Sequence, residues 1–530
     1  MSQRIILLTP RRQFIANRFG LGYQLPLGLV FLGGPLVDAG HVVRLIDNDL
    51  YGWDSPRLLA EVTRFRPDIV FLGHTGSTAA HPVCMATARA LKHALPHLRI
   101  GYGGVYPSYA AEAVLRDCHA IDVVVRGEGE ATAKDLAWAW EQGRSLAEVE
   151  GITWRDGEAI RTNRSRPLIR NLDAYRPGWE LVDWPGYTLF GLGRSAGMQF
   201  SRGCPLTCTY CGQWGFWRRY RHRSPADFVA QLRILAERYD VRIVWLADEN
   251  FAADRAATVE ILERLAAADL GLSLNVNMTA ADVVRDSELL PLYKAAGVDY
   301  VVMGVEALDD AVVEAVRKNN PFTISQAAVR ALRRNRIISL VNLIYGLEEE
   351  TVATLVARLR RLLALDPDIL NAVYLTPHHW TAAGRATDPR DVIQPDLGKW
   401  TYRNQVLATT QLAPWQLFAL VKLTEALYHL RPRALLRLVW GGDRRVRRIL
   451  RSSLAVGVRV VAAEVAEFLF ATQFVPRGTL DHVAVHESRV TRVYYSIERR
   501  SYFPDASVDP TDARKPTVRR FGRSDRSAHR

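Results

Sequence analysis

Between residue 4 and about residue 143, short apolar runs alternate with stretches of helical period. The runs are RIILLT, HVVRLID, DIVFLG, RIGYGG and DVVVRG, and segments such as SPRLLAEVTRF and HPVCMATARALKHAL lie between them. Val- and Ile-rich runs without polar alternation predict strands buried on both faces. Five such βα units predict an open, doubly wound α/β sheet over residues 1–143. Ligands of that architecture sit beyond the carboxyl ends of the strands. The loops there are rich in glycine and small polar residues, which lets backbone approach a large ligand closely. They supply Thr75, Gly76, Ser77 and Thr78 after the third strand, Gly103 and Gly104 after the fourth, and Gly127, Glu128, Gly129 and Glu130 after the fifth. None is a G-x-G-x-x-G opening a helix after the first strand, and none is a Walker A loop. Plain βα turns are the other reading of the same loops.

Residues 144–196 break the rhythm. GITWRDGEAIRT carries Asp156-Gly157 between two β-like runs, a hairpin signal. YRPGWELVDWPGY reads as an irregular connector. From Met198 the alternation resumes through GMQFS, RIVWLAD, LSLNVNM, DYVVMGVE, ISLVNLIYG and ILNAVYLTP. Six parallel strands with crossover helices predict a partial (β/α)6 barrel over residues 197–380, with its chemistry at the carboxyl ends of the strands. Those ends carry Cys204, Cys208 and Cys211, then Asp248 and Glu249, Asn277, Glu306, Gly346, and His378 with His379. Residues 381–530 read as a helical, basic C-terminal region, with eight arginines and one aspartate between 431 and 451.

A chain of 530 residues suggests two or three domains. Its 48% hydrophobic and 24% charged content is that of a soluble globular protein. The net charge of +13, carried mostly by arginine, favours an anionic partner or a basic solvated surface. The arginines are scattered and no RNA-binding motif occurs, so no nucleic-acid partner is expected. No stretch approaches ~20 uncharged apolar residues. SSLAVGVRVVAAEVAEFLFA comes nearest, but Arg459, Glu464 and Glu467 make it an amphipathic helix. The N-terminal apolar run is too short for a signal peptide, so the expected compartment is the cytoplasm, where thiols stay reduced. A peripheral membrane contact through a basic helix over Arg431–Arg451 is also expected.

Five cysteines are present, and three form Cys-x3-Cys-x2-Cys directly after the first barrel strand. A four-iron cubane normally takes four thiolates, one per iron. Three thiolates hold three corners and leave one iron open to a small ligand. Cys84 and Cys118 fall in the other domain and read as packing residues. A Cys3His zinc site recruiting His222 is the rival, and three buried cysteines without a metal a further one.

Cys-x3-Cys-x2-Cys with an aromatic before the last cysteine, at the first strand of a partial barrel, resembles the radical S-adenosylmethionine superfamily. The resemblance implies that Cys204, Cys208 and Cys211 hold a 4Fe-4S cluster whose open iron chelates S-adenosylmethionine. One electron then releases a 5′-deoxyadenosyl radical that removes a substrate hydrogen. On that pattern Tyr210 lies against adenine, and Asp248 and Glu249 hold the methionine ammonium. Asn277 and Glu306 fall where the family contacts the ribose and the methionine carboxylate. Relatives often carry a basic residue beside that asparagine; Met278 stands there in this chain.

The N-terminal domain is similar to the cobalamin-binding domain that precedes the barrel in one large subfamily. The Asp-x-His-x-x-Gly signature of His-ligated cobalamin is absent. The resemblance therefore implies a corrin held without a histidine ligand and lined by the three loops above, with His74 as the alternative cobalt ligand. GQWGFWRRYRHRSP, PGWELVDW, WLADEN, NLIYGLEEET and AVYLTP further resemble the anaerobic oxidative cyclases of magnesium-protoporphyrin monomethyl ester, enzymes of bacteriochlorophyll-type pigment synthesis. That likeness implies a hydrophobic, anionic tetrapyrrole substrate and an electron donor such as flavodoxin or ferredoxin. Trp214, Phe216, Trp217 and Tyr220 would offer flat faces to the macrocycle. Arg218, Arg219, Arg221 and Arg223 would meet its propionate. The same subfamily contains cobalamin-dependent methyltransferases, the alternative activity.

Overall fold

The computed structural model describes residues 2–11, 25–74, 78–217, 219–318, 320–347 and 349–480. Thr75, Gly76, Ser77, Arg218, the side chain of Trp214 and the C-terminal stretch from 481 lie outside them.

The five apolar runs form five parallel strands: β1 (Arg4–Thr9), β2 (Val42–Asp47), β3 (Ile69–Leu72), β4 (Arg99–Gly103) and β5 (Val123–Val125). Their spatial order is β2-β1-β3-β4-β5. Neighbouring residues of one strand feed opposite cores, which is why the runs lack alternation. Ile5 and Leu7 pack with α1 (Leu27–Asp38) through Leu29 and Val30. Ile6 and Leu8 pack with the helices over Ser55–Phe65 and His81–Ala94 through Leu58, Val62, Cys84 and Met85. Cys118 joins that second cluster, so both outlying cysteines are core residues.

The Asp156-Gly157 hairpin pairs β6 (Ile152–Asp156) with β7 (Ala159–Thr162), with Gly157 in the left-handed region. It is a sheet extension: β6 runs antiparallel beside β5 and completes seven strands.

The second sheet also has seven strands. β8 (Thr188–Leu189) lies antiparallel on the edge beside β9 (Gly193–Met198). Then β12 (Val241–Leu246), β13 (Ser273–Asn277), β14 (Val298–Glu306), β15 (Ile338–Tyr345) and β16 (Ile369–Tyr374) follow in parallel. The short pair β10 (Ser201–Arg202) and β11 (Arg221–His222) brackets the cysteine loop. β9 begins before the apolar run GMQFS; pairing with β8 and β12 draws Gly193–Ser195 into the sheet although they carry no hydrophobic signal. Helices start where side chains cap them: Ser224 accepts from Asp227 N, and Asp254 from Ala257 N.

Among the described residues the C-terminal region ends in three helices: α2 (Pro414–His429), α3 (Pro432–Trp440) and α4 (Arg444–Phe470). The expected continuous basic helix over 431–451 is two helices. Gly441-Gly442 breaks it, with Gly442 at φ 61°, and Asp443 caps α4 by accepting from Val446 N. α4 also differs from a simple amphipath. Glu464 and Glu467 point inward, to Arg403 and Lys422 (2.5 Å each) and to Lys399 (2.5 Å). Among the described residues no helix is long and apolar enough to cross a membrane.

Candidate active site between the two sheets

The carboxyl ends of both parallel sheets face one cavity of about 560 Å3. Gly103, Gly104 and Gly127–Glu130 line it from the first sheet, with His74. Asp248, Glu249 and Asn277 line it from the second, with Phe216 and Trp217 from the segment after the cysteines. Gly104 (φ 119°) and Gly127 (φ 75°) adopt backbone that other residues rarely take, and this turns both loops at the cavity wall. Thr78 instead bonds His378 Nδ1 through its hydroxyl (2.8 Å).

The cysteine loop is gripped from two sides. Thr209 N donates to Val316 O (3.1 Å), and the Cys208 thiol to Arg317 O (3.8 Å). On the other side Ala383 N donates to Thr209 O (2.9 Å) and Trp380 Nε1 to Gly212 O (2.7 Å). Gly203 (φ 93°) has no room for a side chain, because a Cβ would stand 2.5 Å from Arg219 O. Burial pushes the Cys204 thiol up to about 12 and raises Cys208. A nearby ammonium opposes that rise in both: Lys318, which pairs with Glu306 at 3.3 Å. Tyr210 bonds Glu306 and the Cys208 side chain. The donor set is thus three thiols of one loop, with a buried cation beside them to balance thiolate charge. That chemistry fits an iron–sulfur cluster.

His222 is placed elsewhere. Its Nδ1 lies 2.7 Å from Arg223 O, its Nε2 3.5 Å from Asp254, and its ring stacks on Phe200. Among the described residues no three His, Cys, Asp or Glu side chains converge on a single-ion position. A cubane makes a different demand, since each thiolate meets its own iron.

The acids of the cavity are not alike. Asp248 accepts from Phe200 N (3.1 Å), Ser201 N (2.6 Å) and Ser201 Oγ (2.5 Å), so it fastens the entry to the cysteine loop. Burial still raises it to about 6. Glu249 accepts a long bond from Gly203 N (3.3 Å) and is further held by its own backbone N–H. Burial, and then the charge of Asp248, push it up to about 8. Glu128 and Glu130 both clasp Arg202, Glu128 at 2.7 Å. Arg221 adds a second cation to Glu128 (2.9 Å). Arg202 is held flat between Phe31 and Trp217, 5.3 and 5.1 Å from their ring centres. Asn277 donates Nδ2 to Asp248 O (2.8 Å).

Several expected roles meet other partners. Arg221 is occupied by Glu128 and Ile169 O, and Arg223 by Asp227 (2.9 Å) and Tyr175 O (2.8 Å). Arg219 is exposed. Phe216 and Trp217 reach the cavity, whereas Tyr220 lies beside His222, their ring centres 6.0 Å apart. His74 Nε2 lies 3.3 Å from Tyr102 OH. His378 is buried and held down to about 3 by burial, between Thr78 and Tyr402 OH (2.6 Å). Lys318 and Arg202 were not foreseen. Lys318 follows a short helix after Glu306, where no hydrophobic period marks it. Arg202 stood in plain view as a charged residue just ahead of the first cysteine.

Two family models match the chain. The radical SAM superfamily model matches residues 198–362 and the B12 binding domain model residues 21–137. The anaerobic magnesium-protoporphyrin IX monomethyl ester cyclase of Synechocystis sp. is 38% identical over 475 residues, 90% of this chain and 95% of that protein. The chain belongs to that cyclase family. As a family member it is a cobalamin-dependent radical SAM enzyme, with a 4Fe-4S cluster, S-adenosylmethionine and cobalamin as its cofactors. Methylases are also similar: the hopanoid C-3 methylase of Methylococcus capsulatus is 28% identical, covering 76% of each chain. The fold matches that of the radical S-adenosylmethionine methyltransferase TsrM from Kitasatospora setae, solved with cobalamin and a 4Fe-4S cluster bound. There the TM-score is 0.64 at 17% identity, over 87% of this chain and 100% of that one.

Proposed function

We propose that this enzyme carries out anaerobic oxidative cyclisation of a tetrapyrrole of the magnesium-protoporphyrin IX monomethyl ester class. One observation carries the reading. A single cavity joins the glycine-rich ends of the first sheet to the acidic ends of the second, in a member of the cyclase family.

In this reading Cys204, Cys208 and Cys211 hold the cluster, and Lys318 with Glu306 balances charge beside it. When bound, the cluster supplies one electron to S-adenosylmethionine. Glu249 holds the methionine ammonium: like Asp248 it has no cation partner among the described residues, and unlike Asp248 it is not taken up by Phe200 and Ser201. Asp248 works behind it, by fixing Phe200 and Ser201. Asn277 and Tyr210 complete the cofactor wall. Gly103, Gly104, Gly127 and Gly129 admit the flat face of cobalamin, while Glu128 and Glu130 hold Arg202. Phe216 and Trp217 meet the macrocycle. The electron comes from a small donor such as flavodoxin or ferredoxin.

Anaerobic incubation with reductant, cobalamin, S-adenosylmethionine and magnesium-protoporphyrin IX monomethyl ester tests the reading. The expected product gains oxygen and loses hydrogen. A gain of one methylene would instead make the enzyme a methyltransferase, the reading favoured by the likeness to the hopanoid methylase. An unchanged tetrapyrrole would remove both.

A further inference from the structure

The C-terminal helices expose an apolar face. Leu423 and Leu427 lie one turn apart on α2 with Leu430 at its C-cap, and Leu436, Val439 and Trp440 follow along α3. Each is more than half exposed, and Trp440 reaches 74%. Contiguous exposed hydrophobics of this kind mark interaction sites.

The charge around this face has one sign. The acids of α2, α4 and the turn before α4 are all committed inward or paired. Glu425 and Glu464 pair with Lys422, Glu467 with Lys399, and Asp443 with Lys294. Arg431 and Arg437 are taken by Asp366. Six arginines remain without a carboxylate partner among the described residues: Arg433, Arg444, Arg447, Arg448, Arg451 and Arg459. Arg451 reaches back to Leu438 O (2.8 Å), which ties this basic stretch to α3.

Position excludes one class of partner. Val446, Ile449 and Leu450 of α4 pack under the barrel, against Ile338 at the amino end of β15 and against Leu189 and Phe190, beside the amino end of β9. The cysteine loop lies at the opposite ends. An electron donor docked on this face would stand on the far side of the barrel from the thiols.

We infer that the α2–α3 face, with the arginines of α4, is a docking surface for an anionic phospholipid bilayer. Exposed leucines and tryptophan enter the interfacial layer, and guanidinium groups meet lipid phosphates. The inference rests on the surface alone and not on the identity of the substrate.

Flotation of the full-length protein with vesicles tests it. The chain is expected to float with phosphatidylglycerol-containing vesicles and to stay down with phosphatidylcholine alone. Leu436→Glu with Trp440→Glu should cut flotation at least tenfold while melting temperature and iron content stay unchanged. Arg433→Gln with Arg444→Gln should weaken binding to phosphatidylglycerol and leave the remaining binding less salt-sensitive. Equal flotation of wild type and the Leu436/Trp440 variant would overturn the inference. So would concentration-dependent dimers broken by Leu436→Glu without any flotation, which would assign the face to a second copy. Slow hydrogen exchange of 432–440 in the lipid-free monomer would assign it to the chain's own residues 481–530, and would equally overturn it.

Discussion

Two acidic pairs line the same cavity and behave oppositely. Glu128 and Glu130, at the end of the first sheet, are bound by Arg202 and Arg221. Asp248 and Glu249, just after β12, have no cation partner among the described residues. Asp248 spends its oxygens on backbone and a serine, and Glu249 is left protonated to about pH 8. The first pair is neutralised internally, so it joins the cobalamin-binding half to the root of the cysteine loop. The second pair is electrostatically unfinished. An uncompensated buried carboxylate is costly, and a ligand ammonium removes the cost.

The largest expected effect comes from the cysteine loop. Cys208→Ala should lose the iron and all cleavage of S-adenosylmethionine, measured as iron per chain and 5′-deoxyadenosine formed. Next, Arg202→Met leaves two buried glutamates with one cation between them. It should destabilise the fold by about 3–5 kcal/mol in denaturant unfolding. Glu249→Gln should leave stability equal or higher, which sharpens the contrast between the walls. The same substitution should weaken S-adenosylmethionine binding about 10- to 100-fold, the scale of one charge-assisted hydrogen bond of roughly 1.5–3 kcal/mol; equilibrium binding reads it.

The smallest effect is in pH. Glu249 is raised from 4.5 to about 8 in the folded chain. A raised acid favours the fold fully below pH 4.5, and that contribution is lost as pH rises through 8. The wild type should therefore lose stability relative to Glu249→Gln across this window. Affinity for S-adenosylmethionine should climb toward pH 8 with proton release and then level off, and Glu249→Gln should flatten the curve. A flat wild-type profile would leave Glu249 without a cation-binding role.

Much of this was legible in the chain. The apolar runs became the strands, because strands buried on both faces must be apolar throughout. The three cysteines stood out through spacing alone, and the strand ends named Asp248, Glu249, Asn277 and Glu306. Local pattern was silent on which acid would meet which base. Arg221 was expected to meet a substrate propionate and is held by Glu128, ninety-three positions away. Glu464 and Glu467 looked solvent-facing, yet they anchor α4 through Arg403, Lys422 and Lys399.

By itself the sequence determined the order of elements, the three-thiol loop and the glycine-bearing turns. These depend on neighbours in the chain: hydrophobic period, cysteine spacing and backbone freedom. Only the tertiary structure decided which carboxylates are neutralised and which are left to a ligand. Charge compensation is a matter of a few ångströms in space, and Arg202 meets Glu130 seventy-two residues before it.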